Sequence, residues 1–328
     1  MSAARSKPGP WELQLAALNA LDPAAERAIQ NETISRALAD RHFRVVARAA
    51  TLAGERALHE RIPDLLQAWT RLLDDPVKQD PQCLAKSAIT GALLTLEHDD
   101  SRFWLAGIAY RQHEPVWGGS TDTAVDVRCN CALGLVNSGH ARALVELATL
   151  LNDPERRVRA GAARAISCGN PREAEPLLRF KILVGDADAE VLGECFTALL
   201  AIAPEESMAI VAARLRAADE SVRDYAALAL GESRHPAAVE HLKQAWQEAS
   251  TTPGLRQVLA RAAALHRSEA AFDWLASIIE TGSKLDAEST ADALSVYGRN
   301  TRLMERMKAA QTLRMRYPGP REPEILED

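Results

Sequence analysis

Four segments of this chain repeat one pattern: "VRCNCALGL" from Val127, "VRAGAARAI" from Val158, "VLGECFTAL" from Val191 and "VRDYAALAL" from Val222. Each opens on Val, and Arg128, Arg159 and Arg223 follow it in three of the four. Four residues on stand Cys131, Ala162, Cys195 and Ala226, and four further on Leu135, Ile166, Leu199 and Leu230. Apolar residues at i, i+4 and i+8 share one face of a helix, so these are equivalent buried stripes. The Val positions recur about every 31 to 33 residues, the period of a two-helix unit that must stack on its neighbours to bury a core.

Between the Val helices lie second amphipathic segments, such as "ARALVELATLL" from Ala141 and "SMAIVAARLRAA" from Ser207. Turn residues fall where the helices should break. "NDPE" predicts Asp153 as an N-cap with Pro154 in the first turn, and "GNPRE" repeats the arrangement with Asn170 and Pro171. The pattern extends outward through Phe43, Leu84 and Leu255, then through Ala270–Thr281 and Asp286–Tyr297 to a terminal helix near Thr301–Arg314. No segment carries a strand signal. The expectation is an all-α chain, a right-handed α-solenoid of about eight helix pairs. It would run as one array over residues 11–317, with a loop insertion at 113–122, a disordered tail at 1–10 and a disordered, Pro-rich acidic tail at 318–328.

The stretches "LLNDPERRVRAGAARAI" and "RLRAADESVRDYAALALGE" resemble HEAT-like repeats of the short kind associated with phycobilisome lyases, most strongly from Ala124 to Glu232. That resemblance implies a concave face lined by the Val-Arg helices. It also implies a ladder between repeats made by the Asp before the turn and the Arg after the Val. Asp153 with Arg159 and Asp219 with Arg223 match it, while Leu192 interrupts it. The family includes scaffolds, adaptors, lyases and enzymes, so the likeness does not choose a function.

One stretch fits no repeat. From Leu84 to Val127 there are about ten residues more than a standard unit, and the excess is "HEPVWGGSTD", His113 to Asp122. The helix before it, "DDSRFWLAGIAYRQ", combines Phe103, Trp104 and Tyr110. Loops on rigid scaffolds carry function, and a Trp beside two glycines makes a compact anchor. The expected binding residues here are Trp104, Tyr110, Arg111, His113, Glu114, Trp117 and Asp122, with Asp122 also capping the next helix. Arg164, Glu194 and Tyr225 are added from the Val-Arg helices as groove-facing positions. The alternative is a long connection in which Trp117 packs over an inter-helix gap.

Among HEAT-like proteins, deoxyhypusine hydroxylases bind iron through His-Glu pairs in symmetry-related repeats. This chain has such pairs at His59-Glu60 and His113-Glu114, at non-equivalent positions, which argues against that enzyme. His98, His113 and Glu114 are metal-ligand candidates by residue type only, and no cofactor is expected. HEAT-like alkylpurine DNA glycosylases use a basic groove with Trp and a catalytic Asp. A net charge of −6 and groove positions of mixed sign lack that footprint, so no nucleic-acid partner is expected.

Cys129-x-Cys131 points its thiols about 200° apart on a helix, which leaves Cys129 as the candidate exposed thiol. Five cysteines within helices suit a reducing cytoplasm, and no run approaches the roughly 18 apolar residues of a membrane span. No catalytic set stands out. The expectation is a non-enzymatic scaffold or adaptor for a protein or peptide. Its alternative is a HEAT-like enzyme or lyase-type chaperone with a pocket around Phe103–Asp126.

Overall fold

A computed structural model describes residues 9–249 and 253–316. The chain packs as two compact units, Met1–Gly169 and Asn170–Asp328. The first holds α1 (Pro10–Asn19), α2 (Arg27–Leu38), α3 (Phe43–Glu55), α4 (Ile62–Arg71), α5 (Pro76–Gln79), α6 (Leu84–Thr95), α7 (Ser101–Ala109), β1 (His113–Val116), β2 (Gly119–Asp122), α8 (Val125–Asn137), α9 (Ala143–Leu150) and α10 (Arg156–Ser167). The second holds α11 (Pro171–Val184), α12 (Ala189–Ile202), α13 (Pro204–Ala212), α14 (Glu220–Ser233), α15 (Pro236–Glu248), α16 (Pro253–His266), α17 (Glu269–Thr281), α18 (Lys284–Ser295) and α19 (Thr301–Arg316).

Each unit is a stack of four helix pairs. In the first, α2 packs on α3, α4 on α6, α7 on α8 and α9 on α10, while α3, α6, α8 and α10 contact one another in succession. In the second, the pairs are α11 with α12, α13 with α14, α15 with α16 and α17 with α18, and α12, α14, α16 and α18 form the continuous layer. This is the α-solenoid that the repeat predicts, with its eight pairs. The expected terminal tails lie outside the described residues except for Gly9 and Pro10, which open α1.

The repeated stripe forms the interior of both layers. Cys131, Ala162, Cys195, Ala226, Leu135, Ile166, Leu199 and Leu230 have no exposed surface. Full burial of each Leu or Ile contributes about 1.5–3 kcal/mol, and the small residues at i+4 let neighbouring helices approach closely. Val127, Val158 and Val191 are buried with them, whereas Val222 is only partly covered.

Two local expectations change. Asn170 caps α11, its side chain accepting the Arg172 N–H. Asp153 makes the same kind of turn bond, its Oδ1 accepting the Glu155 N–H at 2.9 Å, but Glu155 and not Asp153 is the residue at the N-cap. Helix α10 starts later, at Arg156, and the Asp153 carboxylate turns inward to two arginines. The insertion at 113–122 is not a plain loop either. Its residues pair as an antiparallel two-stranded hairpin, with His113 opposite Asp122 and Val116 opposite Gly119. The period-two signal is only four residues long on each side, and Pro115 weakens it further, which is why it is faint in the sequence.

Candidate functional site

The hairpin joins the two helices of one repeat, α7 and α8, and turns on Trp117 and Gly118. Gly118 has φ 87°, a left-handed conformation that glycine adopts without a Cβ clash. The turn therefore needs glycine at that point, and it leaves Trp117 at the tip. Trp117 has 103% of its reference surface exposed, and Val116 beside it is half exposed. Among the described residues nothing packs over this indole, so it does not fill an inter-helix gap.

The base of the hairpin is anchored by a buried polar network. Gln112, just before β1, is almost fully buried. Its side-chain amide donates to the Asp80 carbonyl at 2.9 Å and to Glu114 Oε1 at 2.8 Å, and its Oε1 accepts the Tyr110 hydroxyl at 2.8 Å. Glu114 Oε1 also accepts the Thr123 hydroxyl at 2.8 Å and the Gln82 N–H at 2.6 Å. Burial pushes the Glu114 carboxyl up. The hydrogen bonds from Gln112, Thr123 and Gln82 and the nearby Lys86 charge outweigh it, so the group ends below its ordinary range.

Asp122 closes the other side. One carboxylate oxygen accepts the Ala124 N–H at 2.9 Å and the Gln112 N–H at 3.3 Å. The other lies 2.6 Å from Arg128 Nη1. Arg128 has no exposed surface and is held on its far side by Asp153, its Nε lying 3.3 Å from Asp153 Oδ2. Arg111 reaches the same Asp153 oxygen at 2.7 Å. Burial raises the Asp122 carboxyl, but the Ala124 N–H, Arg128 and the Gln112 N–H lower it further, and the net direction is down. Consecutive repeats are joined here by Asp122–Arg128–Asp153 rather than by the carboxylate pairs expected from the resemblance: Arg223 donates to the Ala217 and Ala218 carbonyls while Asp219 caps α14. Arg159 likewise donates to the Asp153 and Pro154 carbonyls.

A second buried pair stands behind the first. Lys86 Nζ lies 3.1 Å from Asp80 Oδ2, both side chains fully buried, and the Asp80 oxygens also accept the Ala85 and Lys86 N–H groups that open α6. Between them Gln82 and Cys83 both have positive φ, 63° and 52°. Two adjacent non-glycine residues in that region cost of order 1–3 kcal/mol each, and the Asp80 cap with the Glu114 acceptor hold them there. Burial pushes the Cys83 thiol up to about 12, despite the lowering influence of Lys86 and Thr123, so it is not a thiolate at neutral pH.

The sequence-predicted residues thus divide. Trp117 and His113 are exposed on the hairpin. Tyr110, Arg111, Glu114 and Asp122 are brought together as its tethers. Trp104 has no exposed surface: its indole N–H donates to the His98 carbonyl at 2.9 Å, and it lies against Gly134, where a Cβ would come within 2.5 Å of the ring. A binding role for Trp104 is corrected to a packing one. Arg164 belongs to α10 in the first unit. Glu194 and Tyr225 belong to the second, where the Tyr225 ring packs against Gly193. Cys129 is partly buried against the Arg157 carbonyl and Gly161, and Cys168 is the exposed thiol instead.

Asp80, Lys86, Gln112, Thr123, Arg128 and Asp153 complete the site and were not singled out as its parts from the sequence. A six-residue spacing from acid to base, shared by Asp80/Lys86, Asp122/Arg128 and Asp153/Arg159, was the available signal.

A cavity of about 380 Å³ is lined by Leu94, Glu97, His98, Trp104, Gly134 and Asn137, of which only Trp104 falls within the expected Phe103–Asp126 pocket. Among the described residues no group of three or more His, Cys, Asp or Glu side chains is placed to hold a metal ion. No helix among them is long and apolar enough to cross a membrane.

Residues 177–262 match the family model of HEAT repeats. A comparison with curated protein sequences finds no match. Among solved structures, the complex of CpcE and CpcF of phycocyanin lyase from Nostoc sp. PCC7120 is similar at 17% identity, covering 94% of this chain and 99% of that one with a TM-score of 0.38. An engineered protein is similar at 17% identity over 93% of this chain and 90% of its own, with a TM-score of 0.39. Human deoxyhypusine hydroxylase in complex with glycerol is similar at 17% identity over 89% and 100%, with a TM-score of 0.26.

Proposed function

We propose that this chain is a protein-binding scaffold that presents Trp117 to a protein or peptide partner. The observation that carries the proposal is the contrast within ten residues: a wholly exposed indole at the hairpin tip, and a hairpin base locked by buried ion pairs. Indoles dominate binding hot spots because they bury a large area with few torsions to freeze. Presenting one on a tethered turn lowers the ordering cost of association further. The proposal retains the single repeat array over residues 11–317 that the spacing predicts. It also retains a reducing compartment such as the cytoplasm, which suits five free cysteines.

The test compares the wild-type protein with Trp117→Ala as bait for partners from a native lysate. The variant should keep its helical circular dichroism and thermal midpoint, because Trp117 is wholly exposed, yet lose most partner recovery. Recovery unchanged from wild type would refute the anchor role. Binding of wild-type protein to neutral lipid vesicles, lost in the variant, would assign the indole to a membrane surface instead.

A further inference from the structure

We propose that the outer edge of β2, centred on Ser120, receives an extended peptide segment of the partner as a third strand beside Trp117. This rests on the reading of Trp117 as a protein-binding anchor and names the form of the partner.

The parity of the hairpin sets which backbone groups face outward. Thr123 donates its N–H to the Gln112 carbonyl at 2.9 Å, continuing the register that pairs Glu114 with Thr121 and Val116 with Gly119. In an antiparallel ladder bonded pairs alternate with non-bonded ones, so the residues between these pairs turn their N–H and C=O groups away from the partner strand. On β1 those residues are His113 and Pro115, and on β2 they are Ser120 and Asp122. Pro115 has no N–H, so the β1 edge lacks a donor at its centre, as edges closed to further pairing commonly do. Opposite it, Ser120 keeps both donor and acceptor and is exposed. Among the described residues, no hydrogen bond outside the hairpin uses the backbone of Ser120 or Asp122. Asp122 is more than nine-tenths buried and marks where the edge meets the body.

One edge is therefore closed and the other open at the same level of the hairpin, next to the exposed Trp117 and Val116. Strand addition draws affinity from main-chain hydrogen bonds and specificity from neighbouring side chains. From Pro115 to Thr121 the hairpin carries no charge, so the matching segment is an uncharged extended chain with an apolar side chain against the indole.

The experiment selects binders to the wild-type protein from a displayed library of linear random peptides. It then measures one selected peptide, made synthetically, against Ser120→Pro and Trp117→Ala. Ser120→Pro places at 120 the residue already tolerated opposite it, and removes the outward N–H from the β2 edge. It should weaken the peptide by about tenfold or more, the effect of a lost main-chain hydrogen bond that leaves its acceptor unpaired. Trp117→Ala should weaken it as well. On the wild-type protein, peptide binding should slow amide exchange at Ser120, a readout independent of either variant.

Unchanged affinity in Ser120→Pro, or no slowing at Ser120, overturns the edge proposal. If Trp117→Ala alone loses the peptide, the anchor reading survives that failure. If Ser120→Pro alone loses it, the edge stands and the anchor fails. A concentration-dependent dimer of the wild-type protein that Ser120→Pro abolishes would assign the edge to a second copy and overturn the proposal.

Discussion

Arg128 shows how one side chain decides what its neighbours are for. It sits fully buried between Asp122 and Asp153, one from its own repeat and one from the next. A buried guanidinium is tolerable only with its charge matched by nearby carboxylates. Arg128→Met removes the buried cation and leaves the two carboxylates to share the partly exposed Arg111 alone. The substitution should lower unfolding stability by about 3–5 kcal/mol in denaturant titrations, because breaking a buried pair strands the remaining charge. A loss within the ordinary range of a surface change would show that the two acids are satisfied without it. The sequence repeat marks this arginine as the residue that follows the Val of its helix. The inward turn of Asp153, by contrast, was masked by its good N-cap spacing before a proline.

At the scale of the element, the hairpin is held by carboxylates that titrate below their ordinary range. The sign follows from that direction. Glu114 and Asp122 are lowered in the folded protein, so their contribution is complete above the unfolded carboxylate range, about pH 4 to 5. It is lost as pH falls through their folded values. The thermal midpoint should therefore fall as the protein is taken from neutral pH to about pH 3, and Glu114→Gln should flatten part of that decline. An acid limb identical in the variant would remove Glu114 from the linkage. The hairpin's place in the chain was legible as an interruption between α7 and α8. Its strand character was not, because two four-residue strands are stabilised by the tethers below them more than by their own propensity.

For the whole molecule, each unit is built from repeats that touch mainly their sequence neighbours, so stability should spread along a stack rather than through one central core. Ala226 lies in α14, between α12 and α16, with no exposed surface. Ala226→Leu would overpack that interface and should cost about 1–3 kcal/mol. Hydrogen exchange should report the largest loss of protection in α12, α14 and α16, and a smaller one at α18. Uniform loss across the second unit would mean a single cooperative core, and an unchanged midpoint would undo the stripe assignment.

The sequence alone determined what depends on periodicity. The Val, Ala or Cys, and Leu or Ile positions specify one face of each helix, and their spacing specifies how many pairs must stack, because local geometry converts both directly into buried surface. What only the tertiary structure decided is which polar residues meet. Lys86 and Gln112 look like ordinary surface residues in the chain, and Trp104 and Trp117 look alike as aromatic candidates. Burial separates them, since one indole is enclosed by α8 and the other is carried into solvent on a two-residue turn. Pairing of buried charges depends on distances between segments well separated in the chain, as between Arg128 and Asp153 in successive repeats, and the order of residues along either segment does not encode that contact.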